Sequence, residues 1–90
     1  MNLNNVEKSV RKCKVFVGNL TSNVQENHLK EIFDRCGNVI NIDIPFDKKL
    51  KRHKGFAYIQ FERAEEAEKA ITLMHKGQID GQIISVEHLK

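Results

Sequence analysis

The chain holds five Phe, one Tyr and no Trp, and three of these rings stand where flat aromatic surface can do chemistry. Phe16 lies in the run Lys14-Val15-Phe16-Val17-Gly18. Phe56 and Tyr58 lie in Lys54-Gly55-Phe56-Ala57-Tyr58-Ile59-Gln60-Phe61. Both runs alternate as strands do, and side chains of a strand point to opposite faces in turn. With Val15, Val17, Gly55, Ala57, Ile59 and Phe61 turned inward, Phe16, Lys54, Phe56, Tyr58 and Gln60 turn outward together. An exposed aromatic cluster is unfavourable unless something covers it. Phe16 and Tyr58 can each stack on an unpaired base, a contact worth about 1–3 kcal/mol that tolerates any base. Phe56 can pack on the sugars between them.

The positive charge gathers beside the same runs. Net charge is only +3, from 15 Lys and Arg against 12 Asp and Glu. Residues 47–54 nevertheless carry Lys48, Lys49, Lys51, Arg52 and Lys54 against Asp47, a net +4, and residues 1–14 carry Lys8, Arg11, Lys12 and Lys14 against Glu7, a net +3. The rest is slightly acidic. A basic segment with His53, entering the aromatic strand at Lys54, reads as a flexible electrostatic arm for phosphates. Polar groups beside the rings are the candidates for base preference: Asn41 and Asp43, Gln60, Ser85 and Glu87, with His88 beyond, and strand-end amides near Glu87 to Lys90. Asp43 and Glu87 repel phosphates, yet carboxylates also accept hydrogen bonds from base amino groups.

Other chemistry finds little support. His28, His53, His75 and His88 are scattered, and neither CxxC nor HxxxH occurs, so no metal site is expected. No nucleophile–base pair is evident, no arginine follows the first strand to cradle an acyl phosphate, and neither an enzyme nor a cofactor is expected. Two cysteines, Cys13 and Cys36, make a poor disulfide framework and suggest a reducing compartment. No apolar run approaches the roughly 18 residues that span a bilayer, and the N-terminus does not read as a signal peptide.

The elements that must position these residues follow from periodicity. Residues 1–12 read as a flexible basic leader and residues 13–90 as one domain. Leu29, Ile32, Phe33 and Cys36 fall on one helical face, which Gly37 ends. Val39–Ile44 alternates, with Ile40, Ile42 and Ile44 on one face, and Pro45 stops it. Phe46–His53 is expected to be a charged loop and Gly55–Phe61 the third strand. Ala67, Ala70, Ile71 and Met74 form the inner face of a helix over 64–74, whose acids Glu65, Glu66 and Glu68 suit its N-terminal half. Asp80-Gly81 signals a turn, and Gln82–Glu87 a fourth strand with Ile84 and Val86 inward.

The order is βαββαβ, an α+β fold. Two helices with apolar faces must cover one side of a four-stranded antiparallel sheet, giving a ferredoxin-like sandwich. Right-handed crossovers place the first and third strands side by side at the centre, and the other side of the sheet stays open.

Val15-Phe16-Val17-Gly18-Asn19-Leu20 resembles the six-residue motif of the RNA recognition motif family, and Lys54–Phe61 resembles its eight-residue motif at every defined position. The resemblance covers roughly residues 13–89. It implies a single-stranded RNA-binding module whose bases stack on the sheet, with Phe16, Phe56, Tyr58, Lys54, Lys14, Arg52, Lys51, Lys49, Asn41, Gln60, Glu87 and His88 as contact residues. Ile42-Asp43-Ile44-Pro45, Glu66-Ala67-Glu68-Lys69-Ala70 and Gly77-Gln78-Ile79-Asp80-Gly81-Gln82 further resemble the subfamily of RNA-binding proteins with a serine-rich domain. That likeness implies a role on pre-mRNA and mRNA in splicing and exon-junction assemblies, in the nucleus or shuttling between nucleus and cytoplasm. It also implies splicing-associated protein partners on the helical face, and an alternative in which protein interaction is the main use. The domain is expected to be monomeric, with no membrane partner.

Overall fold

A computed structural model describes residues 11–89. Ten elements follow one another: β1 (Lys14–Gly18), α1 (Glu26–Phe33), β2 (Val39–Asp43), β3 (Phe46–Asp47), β4 (Arg52–His53), β5 (Ala57–Phe61), α2 (Ala64–Met74), β6 (Gln78–Ile79), β7 (Gln82–Ile83) and β8 (Ser85–His88). The main sheet is antiparallel, in the order β2-β5-β1-β8. β1 and β5 are therefore central, as the two right-handed crossovers require.

Apolar periodicity accounts for the core. On the sheet's inner face Val15, Val17, Ala57, Ile59, Phe61, Ile84 and Val86 are almost wholly buried, and α1 closes on them with Leu29 and Phe33. Phe33 meets Phe61 edge-on, with ring centroids 6.4 Å apart. α2 contributes Ala67 and Ala70, both fully buried, whose small side chains let the helix lie close to the sheet. Cys36 joins the same cluster. No polar or charged residue is buried among the described residues, so the core needs no internal polar partners.

The helix ends are tied down by side chains. Gln25 N–H donates to His28 Nδ1 (3.2 Å) at the start of α1. Arg63 N–H donates to Glu66 Oε1 (2.9 Å) at the start of α2, while Glu66 Oε2 accepts from Asn38 N–H (2.8 Å). Glu66 lies directly over Gly37, where any Cβ would strike it. One carboxylate thus joins the start of α2 to the segment entering β2.

The structure revises four local expectations. Ile40 is not on the inner face: Val39 pairs with Phe61 and Asn41 with Gln60, so Ile40 is the extra residue of a β-bulge and is 55% exposed. A bulge breaks strict alternation: Val39 takes the core position in place of Ile40, while Ile42 and Ile44 pack against the core as their spacing predicts. Residues 46–53 form a hairpin, with Phe46 opposite His53 and Asp47 opposite Arg52. The third main-sheet strand begins at Ala57, because Gly55 has φ +89, outside the extended region. The last segment divides into a small hairpin, β6–β7, and β8. Asp80 (φ 52) and Gly81 (φ 77) both take the left-handed conformation that a two-residue hairpin turn needs. Of the residues 1–12 read as a leader, only Arg11 and Lys12 are described; they are exposed and helical. No helix among the described residues is long and apolar enough to cross a membrane.

Candidate nucleic-acid interface

Strand register writes the outer face of the sheet as two rows. Phe16 lies opposite Tyr58 on one side and Glu87 on the other, and Tyr58 lies opposite Asp43. The first row is therefore Asp43, Tyr58, Phe16, Glu87. The second is Asn41, Gln60, Lys14. Directly opposed residues on one face come within about 4.5–5.5 Å at Cβ, so each central ring has a carboxylate as its lateral neighbour. Phe56, just before β5, completes a triangle: its centroid is 5.5 Å from Phe16 and 5.8 Å from Tyr58, and those two are 5.8 Å apart. All three rings are half-buried.

The ring of Phe16 is seated by a missing side chain. Gly18 is two residues along on the same face, opposite Ser85. A Cβ there would stand 2.8 Å from Phe16 Cε1 and 2.7 Å from Ser85 Oγ. Glycine lets the ring lie across the strand backbone.

Two hollows open on this face. One, of about 360 Å³, is lined by Phe16, Tyr58, Glu87, His88 and Leu89. The other, of about 270 Å³, is lined by Lys14, Asn41, Asp43, Tyr58, Gln60 and Leu89. Tyr58 and Leu89 border both. Among the described residues, the side chains of Lys14, Asp43 and Glu87 have no hydrogen-bond or ion-pair partner, so their charge is free for a ligand.

The basic segment is built rather than loose. Asp47 Oδ1 accepts from Lys49 N–H (2.9 Å) and Leu50 N–H (3.1 Å), and Lys51 turns the chain with φ 55. Lys48, Lys49, Lys51 and Arg52 are exposed around this turn. At its base Lys54 N–H donates to Pro45 O (3.0 Å), and Gly55 N–H to His53 Nδ1 (3.0 Å). Asn19, left-handed at φ 64, donates through Nδ2 to Ile83 O (2.6 Å), while Gln82 Nε2 donates to Asn19 O (2.8 Å). Its polar side chain suits that conformation and ties the end of β1 to the β6–β7 hairpin. Away from this face, burial pushes the Cys36 thiol above its ordinary range, and Lys69 partly offsets the rise. Both cysteines are free.

The pattern that defines the RNA recognition motif matches residues 15–85. The chain belongs to the RNA recognition motif family, a family of RNA-binding modules. It is 40% identical over 79 residues to the chloroplastic organelle RRM domain-containing protein 6 of Arabidopsis thaliana, covering 88% of this chain and 44% of that one. It is 44% identical over 73 residues to RNA-binding protein with serine-rich domain 1 of Danio rerio, covering 80% and 26%. With serine/arginine-rich splicing factor SR45 of Arabidopsis thaliana it shares 39% over 79 residues, covering 87% and 19%. The chain spans less than half the length of these relatives. A solved Sxl-lethal protein/RNA complex superposes with a TM-score of 0.82 at 27% identity, covering 91% of this chain and 50% of that one.

In this RRM the geometry brings together most of the residues singled out from the sequence. Phe16, Phe56, Tyr58, Lys14, Asn41, Gln60 and Glu87 share the open face. Lys49, Lys51 and Arg52 stand apart on the hairpin. Lys54 is at the hairpin's base, not in the third strand, because the left-handed Gly55 separates it from β5. His88 pairs with Val15 at the end of β8, is exposed, and lines the hollow that holds Phe16, Tyr58 and Glu87. It also borders a groove with Arg11, Lys12, Ala64, Glu65 and Glu68. Two residues escaped the sequence reading. Gly18 carried a signal, a glycine inside a strand pattern. Leu89 carried only its lone apolar character between His88 and Lys90.

Proposed function

We propose that this RRM binds single-stranded RNA on its open sheet face, as a module of nuclear pre-mRNA processing of the splicing and exon-junction type. The observation that carries the binding reading is the aromatic triangle of Phe16, Phe56 and Tyr58 on the uncovered side of β1 and β5. Bases stack on Phe16 and Tyr58, and sugars pack on Phe56. Lys14 pairs with phosphates at the platform, and Lys49, Lys51, Arg52 and Lys54 do so along the hairpin. Asn41, Gln60 and Glu87 meet base edges. The nuclear and splicing part rests on the likeness to the serine-rich-domain protein and to SR45; the chloroplastic relative marks the competing compartment. Crosslinking of the tagged protein to RNA in cells tests it: reads concentrated on spliced exons and introns of nuclear transcripts support the proposal, and organellar or no RNA contradicts it.

A second reading has its own observation. A groove of about 310 Å³ between α1 and the β6–β7 hairpin is lined by Asn23, Val24, His28, Glu31, Ile32, Ile79 and Asp80. Its apolar floor and acidic rim suit a protein segment, which allows partner binding on the helical side alongside RNA on the sheet. Recovery of protein partners after nuclease treatment, lost on substitution of Ile32, is the expected result.

A further inference from the structure

The two hollows of the open face differ in what they can accept. In the second hollow, Asn41 and Gln60 each carry an amide that both donates and accepts, and Lys14 offsets Asp43. Any base edge finds a partner there. The first hollow has two aromatic walls, an aliphatic one in Leu89, the imidazole of His88, and a single carboxylate, Glu87. A carboxylate is an acceptor only. Glu87 is opposite Phe16, has no partner among the described residues, and is long enough to reach the edge of a base lying on that ring.

From this we infer that the hollow of Phe16, Tyr58, Glu87, His88 and Leu89 is a base-selective subsite in which Glu87 selects guanine, while the neighbouring hollow tolerates any base. The inference rests on the RNA-binding reading above and deepens it. Guanine presents two adjacent donors, N1–H and the N2 amino group, which one carboxylate receives with both oxygens. Adenine and cytosine present one amino group beside an acceptor. Uracil presents a single N–H between two carbonyl oxygens, which face the carboxylate unfavourably. The expected order is guanine, then adenine and cytosine, then uracil. A well-made two-bond contact of this kind discriminates by about fivefold or more.

The test is fluorescence anisotropy with the labelled pentanucleotides UUGUU, UUAUU, UUCUU and UUUUU at one fixed salt concentration. The expected result is UUGUU tightest and UUUUU weakest, about fivefold apart or more. In Glu87→Ala the four affinities collapse to within about twofold, and in Glu87→Gln the preference for guanine weakens. If Glu87→Ala raises all four affinities alike and keeps their ratios, the carboxylate only repels phosphates and the inference is overturned. Equal binding of all four by the unmodified protein also overturns it, leaving the RNA-binding reading intact. Failure of every oligonucleotide to bind a folded protein overturns both.

Discussion

Gly18→Ala separates the seating of a ring from the stability of the fold. The added Cβ would stand 2.8 Å from Phe16 Cε1, whereas ordinary contact begins near 3.4 Å. The ring must therefore withdraw by about 0.6 Å or tilt. A displacement of that size forfeits a quarter to a half of a dispersion well. Applied to a stack worth about 1–3 kcal/mol, half the well is about 0.5–1.5 kcal/mol, or about two- to twelvefold in affinity. Stability moves much less. Alanine at an extended position gains about 0.4–1 kcal/mol over glycine through the unfolded chain, and an off-rotamer ring costs about 0.5–1.5 kcal/mol. The two nearly cancel, provided the Ser85 hydroxyl, 2.7 Å from the added Cβ, turns to another rotamer. Urea denaturation and anisotropy titration on the same preparation measure both quantities. Unchanged RNA affinity would refute the reasoning that Phe16 binds through the position Gly18 gives it. So would a loss of several kcal/mol in stability, since the glycine would then be needed by the fold.

Phe16→Ala and Tyr58→Ala are each expected to weaken RNA binding by about 1–3 kcal/mol with the salt dependence unchanged; titrations at several salt concentrations also show each of Lys49→Ala, Lys51→Ala and Arg52→Ala lowering the slope by about 0.7 per lost phosphate contact. Glu66→Ala removes the acceptor of Asn38 and Arg63 N–H and is expected to cost about 1–2 kcal/mol in urea denaturation, with RNA affinity unchanged. A thiol reagent is expected to label half-buried Cys13 first and buried Cys36 only as the protein opens. Because burial raises the Cys36 thiol, the folded state holds that proton longer than the unfolded one. Its contribution to stability is present below the ordinary thiol range and declines as pH rises through it, which denaturation from pH 7 to about 10 detects.

The main elements and the aromatic platform were legible because they rest on apolar periodicity over five or more residues. Leu29 and Phe33, or Ala67 and Ala70, can only be the inner faces of helices. Val15, Val17, Ile59 and Phe61 fix which way Phe16 and Tyr58 turn. What periodicity could not convey was made by turn chemistry and register. The 46–53 hairpin has two-residue strands held by the Asp47 carboxylate, too short to alternate visibly. The bulge at Ile40 shifts one residue out of phase, and nothing in an Ile-rich run says where the shift falls. Leu89 lies beyond the last strand, where no pattern remains to place it.

The central claim is that RNA lies across the face carrying Phe16, Phe56 and Tyr58. An NMR titration of the ¹⁵N-labelled protein with a mixed-sequence short RNA tests it most directly. The largest amide shifts are expected in β1 and β5, around Phe16, Gly18 and Tyr58, with smaller ones along the 46–54 hairpin and none on the outer surface of α2. Shifts confined to the helical side, or a saturating RNA that leaves β1 and β5 unmoved, would contradict it.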